Sequence, residues 1–395
     1  MISVQEATQI ILSYPWKPVI ESVDLDHSLG RVLADVVFAD RDLPPFNRVA
    51  MDGIAVRFTD LQRGSRKFKK SGIAVAGQPA VKHIHADSAV EVMTGAILPE
   101  GAEAVIRYED LRVDDDFITV LTNEFKEYQN VHRQGSDAQK GEALLTPGHR
   151  ITAAEIPLLA SVGCTRVGVY SLPTVAIIST GDELVEPDQQ PLIHQIRSSN
   201  GYALSAGLRE LGIYYQRFHI GDQEEQLQDR IEKIINDFEV IILTGGVSKG
   251  KLDWVPGVLK IAGIEKHFHQ VAQRPGKPLW FGTKNEKIVF ALPGNPVSVF
   301  LCFYKYIRPW LNHSLKVTDR QISAVLEKDF NSEIPLTHFL QVRVSEKNGI
   351  RYATPVPGGG SGDFANLRLI DGFIELPPNA GKCSTGQAFP YTPIR

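Results

Sequence analysis

The stretch EVIILTGGVSKGKLDW, residues 239–254, decides the fold. Its first half is an almost continuous apolar, β-branched run, the composition of a strand buried on both faces of a parallel sheet. Its second half is a glycine-rich loop. Gly245, Gly250 and Lys251 stand where a phosphate-gripping P-loop has its glycines and lysine, yet Leu252 occupies the place of the magnesium-binding hydroxyl. The loop is either a broken P-loop or an anion site of another kind. Working outward, TVAIIST (174–180), IYYQRFHI (213–220), IEKHFHQV (264–271) and KIVFAL (287–292) read as further strands. Between them, NGYALSAGLRELG (200–212) and QEEQLQDRIEKIINDF (223–238) carry helical spacing, with Gly212 in a C-cap position. This alternation predicts an αβα domain over 172–312 with a mostly parallel sheet.

The flanks read differently. Ser3 and Glu6 form a capping-box pattern at the start of an amphipathic helix. Residues 41–132, dense in Gly, Pro and short apolar runs, predict a β-rich subdomain inserted in an N-terminal region 1–171, and ITAAEIPLLASVG (151–163) predicts a helix. After residue 318, ISAVLEKDF, HFLQVRVSE, IRYATPV and GFIELP predict a small C-terminal β-barrel or sandwich over 318–395. The fold class is therefore α/β multidomain.

Composition narrows the function. With 42 basic and 46 acidic residues in 395, the net charge of −4 offers no broad cationic field for nucleic acid or an anionic membrane. The three cysteines are scattered with no CxxC pair, which argues against a disulfide framework or a cysteine-ligated zinc and for a reducing cytoplasm. MISVQEATQIILSY lacks the charged segment and long apolar core of a signal peptide. VFALPGNPVSVFLCFYKYI is interrupted by prolines and a lysine, so no membrane span is expected.

Ligands of open parallel sheets bind beyond the carboxyl ends of the strands. Several polar loops fall there: Thr180, Gly181, Asp182 and Glu183 after the first strand, Asp222 after the second, Gly245, Gly246, Ser248 and Asp253 after the third, and Pro293, Gly294, Asn295 and Pro296 after the last. Each alone reads as an ordinary turn or cap; their convergence argues for a site. Asn295 as N-cap and Pro296 as first helical residue would aim free N–H groups at an anion. QRPGKP (273–278) puts Arg274 and Lys277 on a tight turn, where two cations can grip a phosphate or an oxyanion such as molybdate. Glu183, Asp222 and Asp253 beside them suggest a Mg²⁺ site completed by substrate phosphates.

Taken in order, PPFNRVAMDGIAV (44–56), VMTGAILPEGAEAVIRYED (92–110), NVHRQGSDAQKGEALLTPGHRITAAEIPLLASVG (130–163), STGDEL, TGGVSKGKLD, RPGKP, ALPGNPVS and GSGDFANL (360–367) resemble the molybdopterin molybdenumtransferases of the MoeA type, which include the C-terminal half of gephyrin. The resemblance implies four subdomains in an elongated homodimer. It also implies a reaction of adenylated molybdopterin with molybdate that releases AMP in the presence of Mg²⁺ and yields the molybdenum cofactor. A molybdopterin adenylyltransferase upstream and cofactor-handling proteins downstream are the implied partners. Carried over by position, Asp52, Thr94 and Asp137 belong to the N-terminal side of the cleft, and Glu183, Asp222, Asp253, Lys277, Pro293, Pro296 and Ser361 to the molybdopterin side, the two sides coming from different subunits. Asp52, Asp137, Glu183, Asp222, Asp253 and Lys277 are the expected catalytic set, the others substrate contacts. The chain departs from the family at His132, where arginine is usual, at Arg274, often lysine, at Ser136, commonly acidic, and at Trp254, frequently tyrosine. His132 is read as a substrate contact or as a histidine at a domain junction. Two rivals are an adenylyltransferase, against which the segments 41–132 and 318–395 count, and a scaffold without chemistry, against which the complete acidic set counts.

Overall fold

The computed structural model describes residues 1–82, 84–221, 224–247, 254–318 and 320–395, the stretch 224–227 by its backbone alone. Asp222, Ser248, Lys251 and Asp253 lie outside the described residues. The chain divides into two compact units: Met1–Ala34, Pro147–Thr152 and Val167–Arg395 form one, Asp35–Thr146 and Ala153–Arg166 the other.

The larger unit is built on a six-stranded sheet in the order Tyr215–Ile220, Val175–Thr180, Val240–Thr244, Lys287–Leu292, Trp280–Lys284, Glu265–His269. The first four strands are parallel. Val175 and Ile177 face one core with Leu204 and Leu208 of helix Asn200–Glu210, while Ala176 and Ile178 face another with Ile231, Ile234, Val255 and Val258. Both faces of Val175–Thr180, Val240–Thr244 and Lys287–Leu292 are covered, which is why these three strands are apolar at nearly every position rather than at every second one, while the edge strand Tyr215–Ile220 keeps Gln216, Arg217 and His219 exposed. Each fully buried Val or Ile stabilises the fold by roughly 1.5–3 kcal/mol. The strand Trp280–Lys284 is not among those expected from sequence. It forms an antiparallel hairpin with Lys287–Leu292, turning at Asn285 with φ +54°, and pairs antiparallel with Glu265–His269, so the sheet is mixed at that edge.

The last parallel strand runs into a continuous helical rod: α-helical at Pro296–Cys302, π-helical at Phe303–Ile307, and α-helical again at Arg308–Ser314. Beyond it, Ile322–Leu326, Thr337–Lys347, Ile350–Pro355, Gly372–Leu376 and Ala388–Pro393 close into a five-stranded barrel around Leu326, Val342, Ala353, Ile374 and Leu376. The short strand Gln273–Arg274 pairs with it, Gln273 opposite Thr337 and Arg274 opposite His338, so the barrel holds the RPGKP turn. At the N-terminus, Ser3 and Glu6 exchange reciprocal bonds, Glu6 N–H to Ser3 Oγ at 3.1 Å and Ser3 N–H to Glu6 Oε2 at 2.7 Å, and helix Val4–Leu12 buries Val4, Ala7 and Ile11.

The smaller unit carries a six-stranded sheet ordered Ala104–Arg107, Gly53–Val56, Ser88–Val92, Lys67–Ala74, Phe117–Val120, Leu111–Val113, with a ribbon that pairs Arg48–Val49 with Val131–His132. Its described helices include Phe58–Gln62 and Glu155–Ser161. The three cysteines are free, and among the described residues no helix is long and apolar enough to cross a membrane.

Candidate functional site

A cavity of about 590 Å³ opens at the carboxyl ends of the parallel strands of the larger unit. Four backbone segments build it. Strand Val175–Thr180 ends at the buried Thr180, and Gly181 follows at φ +135°. A side chain on Gly181 would run into both carboxylate oxygens of Glu183, so glycine is what lets Glu183 fold over the loop and line the cavity. The Gly181 carbonyl accepts a bond from His219 Nε2 at 2.9 Å. From the next parallel strand come Gly245, Gly246 and Val247; a Cβ on Gly245 would lie 2.7 Å from the Thr180 carbonyl oxygen, so the two loops pack backbone on backbone. His269 Nε2 donates to the Val247 carbonyl at 2.9 Å.

The third segment is Pro293–Gly294–Asn295. Asn295 holds the N-cap position of Pro296–Cys302, and Pro296 is the first helical residue. Its side chain makes no cap bond; instead Nδ2 donates to Ser361 Oγ at 2.8 Å, while Val297 N–H donates to the Ser361 carbonyl at 3.1 Å. Ser361, from a loop between barrel strands, is thereby tied to the helix start and lines the cavity. The fourth segment, Gln273–Pro278, brings Arg274 and Lys277. Both are exposed, and among the described residues neither has a hydrogen-bonded or ion-paired side-chain partner. Burial, followed by the charge of Arg274, holds the His338 imidazole below its ordinary value.

Among the described residues of the larger unit, two that were expected at the site stand off from the cavity lining. Asp182 turns toward the end of strand Tyr215–Ile220, where its Oδ1 would meet a Cβ on Gly221 at 2.7 Å, and Pro296 serves the helix start. Trp254 packs on the core that contains Val255 and Val258.

In the smaller unit the Arg48–Val49 strand and its continuation gather a second polar cluster. Asp52 Oδ1 accepts from Thr94 twice, from the backbone N–H at 2.6 Å and from Oγ1 at 2.7 Å. The hydroxyl first and the N–H second hold the Asp52 carboxyl below its ordinary value. His132 bridges two charged groups: Arg48 Nη2 stands 3.0 Å from its Nδ1, and its Nε2 stands 2.7 Å from Asp137 Oδ1. Arginine can only donate, so Nδ1 accepts and Nε2 carries the proton given to Asp137.

The chain matches the description "MoeA N-terminal region (domain I and II)" over residues 2–163, "Probable molybdopterin binding domain" over 176–313 and "MoeA C-terminal region (domain IV)" over 323–394. A molybdopterin molybdenumtransferase of Synechocystis sp. is 37% identical over 397 residues, covering 99% of each chain. The chain belongs to the molybdopterin molybdenumtransferase family. A second member, from Bacillus subtilis, is 33% identical over 411 residues, covering 100% of this chain and 94% of its own. The solved structure of a molybdopterin biosynthesis MoeA protein from Pyrococcus horikoshii superposes with a TM-score of 0.85 at 27% identity and full coverage of both chains.

Family motifs marked the loops of this transferase but not the residues behind them. Arg48 lies within the quoted PPFNRVAMDG segment, yet only its register opposite His132 brings it to the cluster. Gln273, buried under the RPGKP turn, and Asn200, which donates to the Gly294 carbonyl at 2.7 Å, were also missed. Gln273 opens the short strand that leads into the RPGKP turn and Asn200 opens helix Asn200–Glu210, so an amide at the first position of an element is the signal that could have found both.

Proposed function

We propose that the chain takes adenylated molybdopterin and molybdate as substrates, releases AMP and yields the molybdenum cofactor. The observation that carries this reading is the cavity itself, where the cations Arg274 and Lys277, without a side-chain partner among the described residues, the Ser361 hydroxyl and the Glu183 carboxylate meet at the carboxyl ends of parallel strands. Arg274 and Lys277 receive the oxyanion, the guanidinium in two-point fashion and the ammonium as a point charge. Ser361 orients it from the barrel side. The glycine loops let the pterin phosphate approach the main chain closely.

Mg²⁺ suits this donor set. The Glu183 carboxylate lies over Gly181 in a cradle that a Cβ would fill and lines the cavity, and one or two carboxylates with substrate phosphates are what Mg²⁺ takes. Glu183, Asp222 and Asp253 would hold it, and when bound it supplies charge neutralisation on the phosphate that leaves with AMP. The cluster of Asp52, Thr94, His132 and Asp137 serves the cavity of a second copy in a homodimer, as the resemblance implies. The protein works in the cytoplasm between an adenylyltransferase that supplies its substrate and proteins that accept the finished cofactor.

The test is AMP release from adenylated molybdopterin across Mg²⁺ and molybdate titrations. Asp253→Ala is expected to lose at least about 100-fold in rate, whereas Lys251→Ala stays within about twofold, because the later aspartate and not the P-loop-like lysine does the work. Formation of adenylated molybdopterin from ATP and molybdopterin would transfer the chain to the adenylyltransferases. Co-expressed Asp52→Ala and Asp253→Ala chains should regain activity through mixed dimers with one intact site; no regain would count against shared sites.

A further inference from the structure

Beneath the turn that carries Arg274 and Lys277 lies a buried polar network. Val271 N–H closes the turn on the Lys277 carbonyl at 2.9 Å. Inside it, Gln273, with no exposed surface, donates from Nε2 to the Pro275 carbonyl at 3.0 Å and toward Cys302 Sγ at 3.9 Å. Its Oε1 accepts from the hydroxyl of Tyr306, a residue 2% exposed. Gly276 sits directly on this amide: at φ +89°, a Cβ there would come 2.6 Å from Gln273 Nε2 and 3.0 Å from Cys302 Sγ. Tyr306 belongs to the π-helical segment Phe303–Ile307, and its neighbour Lys305 is anchored to Glu375 of the barrel at 2.6 Å. π-helical turns inside α-helices concentrate at functional sites.

An apolar pair of the same shape could fill this space without desolvating an amide and a phenol. What the polar pair adds is direction, because Gln273 spends both amide hydrogens and its oxygen and leaves the turn one seating. We propose that Gln273 and Tyr306 are positioning residues, which hold the Arg274–Lys277 turn in the geometry that receives the oxyanion. This rests on the reading of that turn as the molybdate clamp.

The test uses the full-length chain and the variants Tyr306→Phe, Gln273→Met and the two combined. Tyr304→Phe, from the same helical segment but outside the network, is the control. Three quantities are read: KM and kcat for AMP release against molybdate, equilibrium dialysis of molybdate without pterin, and melting temperature. Tyr306→Phe and Gln273→Met should each raise the molybdate KM and Kd about tenfold, with kcat at saturating molybdate within about twofold and KM for the pterin substrate unchanged. Tyr304→Phe should match wild type. The double variant removes both the unpaired amide left by Tyr306→Phe and the unpaired phenol left by Gln273→Met, but leaves the Pro275 carbonyl without its donor, so its melting temperature should recover part of the way toward wild type while its molybdate KM stays raised. Unchanged molybdate KM and Kd in both single variants, or recovery of KM together with melting temperature in the double, would overturn the proposal. Should Gln273→Met fail to fold, Tyr306→Phe, which deletes one oxygen, decides alone. If wild type releases no AMP, the proposed reaction fails while dialysis still tests the clamp. If wild type is active and the variants bind molybdate as it does, only this inference falls.

Discussion

Asp52 and His132 show how the neighbours of a single side chain in the smaller unit set what it does: Thr94 acts on Asp52, and Arg48 and Asp137 orient His132. Asp52 owes its low carboxyl value first to the Thr94 hydroxyl and then to the Thr94 N–H. Thr94→Val removes the first donor and keeps the second, so the Asp52 carboxyl should titrate higher than in wild type yet below its ordinary 3.8. A carboxyl-carbon NMR titration reads this directly; an unchanged value would assign the shift to the backbone alone. The sign for stability follows. A depressed carboxyl favours the folded state above its ordinary value and loses that contribution as pH falls through the folded value, and Thr94→Val moves this loss to higher pH. His132 stands where the family usually has arginine, and the reason a histidine works here is Arg48. An arginine could donate to Asp137 but could not accept from Arg48, whereas an imidazole does both.

Between elements, close packing is the control. Helix Asn200–Glu210 presents Gly207 to Phe303 of the π-helical segment, and a Cβ on Gly207 would lie 2.6 Å from Phe303 Cζ. Gly207→Ala forces either the helix or the ring to move, an overpacking that costs about 1–3 kcal/mol. A lower urea midpoint at constant slope would show it; no change would mean that the ring has room to turn. The same segment carries Tyr306, so its displacement should also weaken molybdate binding. Elements set by local chemistry were legible in the sequence: the Ser3/Glu6 box starts its helix, and Gly212, at φ +71°, lies two residues past the end of helix Asn200–Glu210. The strand Trp280–Lys284 was not, because WFGTK has neither clean alternation nor a flanking Asn-Gly turn, and what makes it a strand is its partner Lys287–Leu292.

For the whole molecule, the titratable groups define a pH window of stability. Burial holds His267 and His338 below their ordinary 6.5. Asp42, Asp52, Glu327 and Asp329 are also depressed, Asp329 to about 2 through the Thr385 N–H, then Lys382 and the Thr385 hydroxyl. The unfolded chain therefore binds more protons on acidification, and stability should fall in two stages, one starting below about pH 6.5 and one below about pH 4. At the other end, burial raises Tyr391 to about 12 and Cys302 to about 12, and Tyr306 well above 10.0. Raised groups stabilise below their ordinary values, so that contribution is lost as pH climbs past about 9–10. Urea midpoints from pH 3 to 11 should show a plateau near pH 7–9; a maximum at pH 5 would contradict it. By itself the sequence determined the αβα core, the β-rich flanks and the order of the polar loops, because periodicity, caps and motif residues act over a few neighbours. Only the tertiary structure decided which loops share a cavity, that Asn295 bonds Ser361 rather than its own helix, that Arg48 faces His132, and that Gln273 and Tyr306 lie under the cationic turn. Those pairs are tens of residues apart, and their meeting depends on sheet order, barrel closure and strand register, which no local pattern encodes.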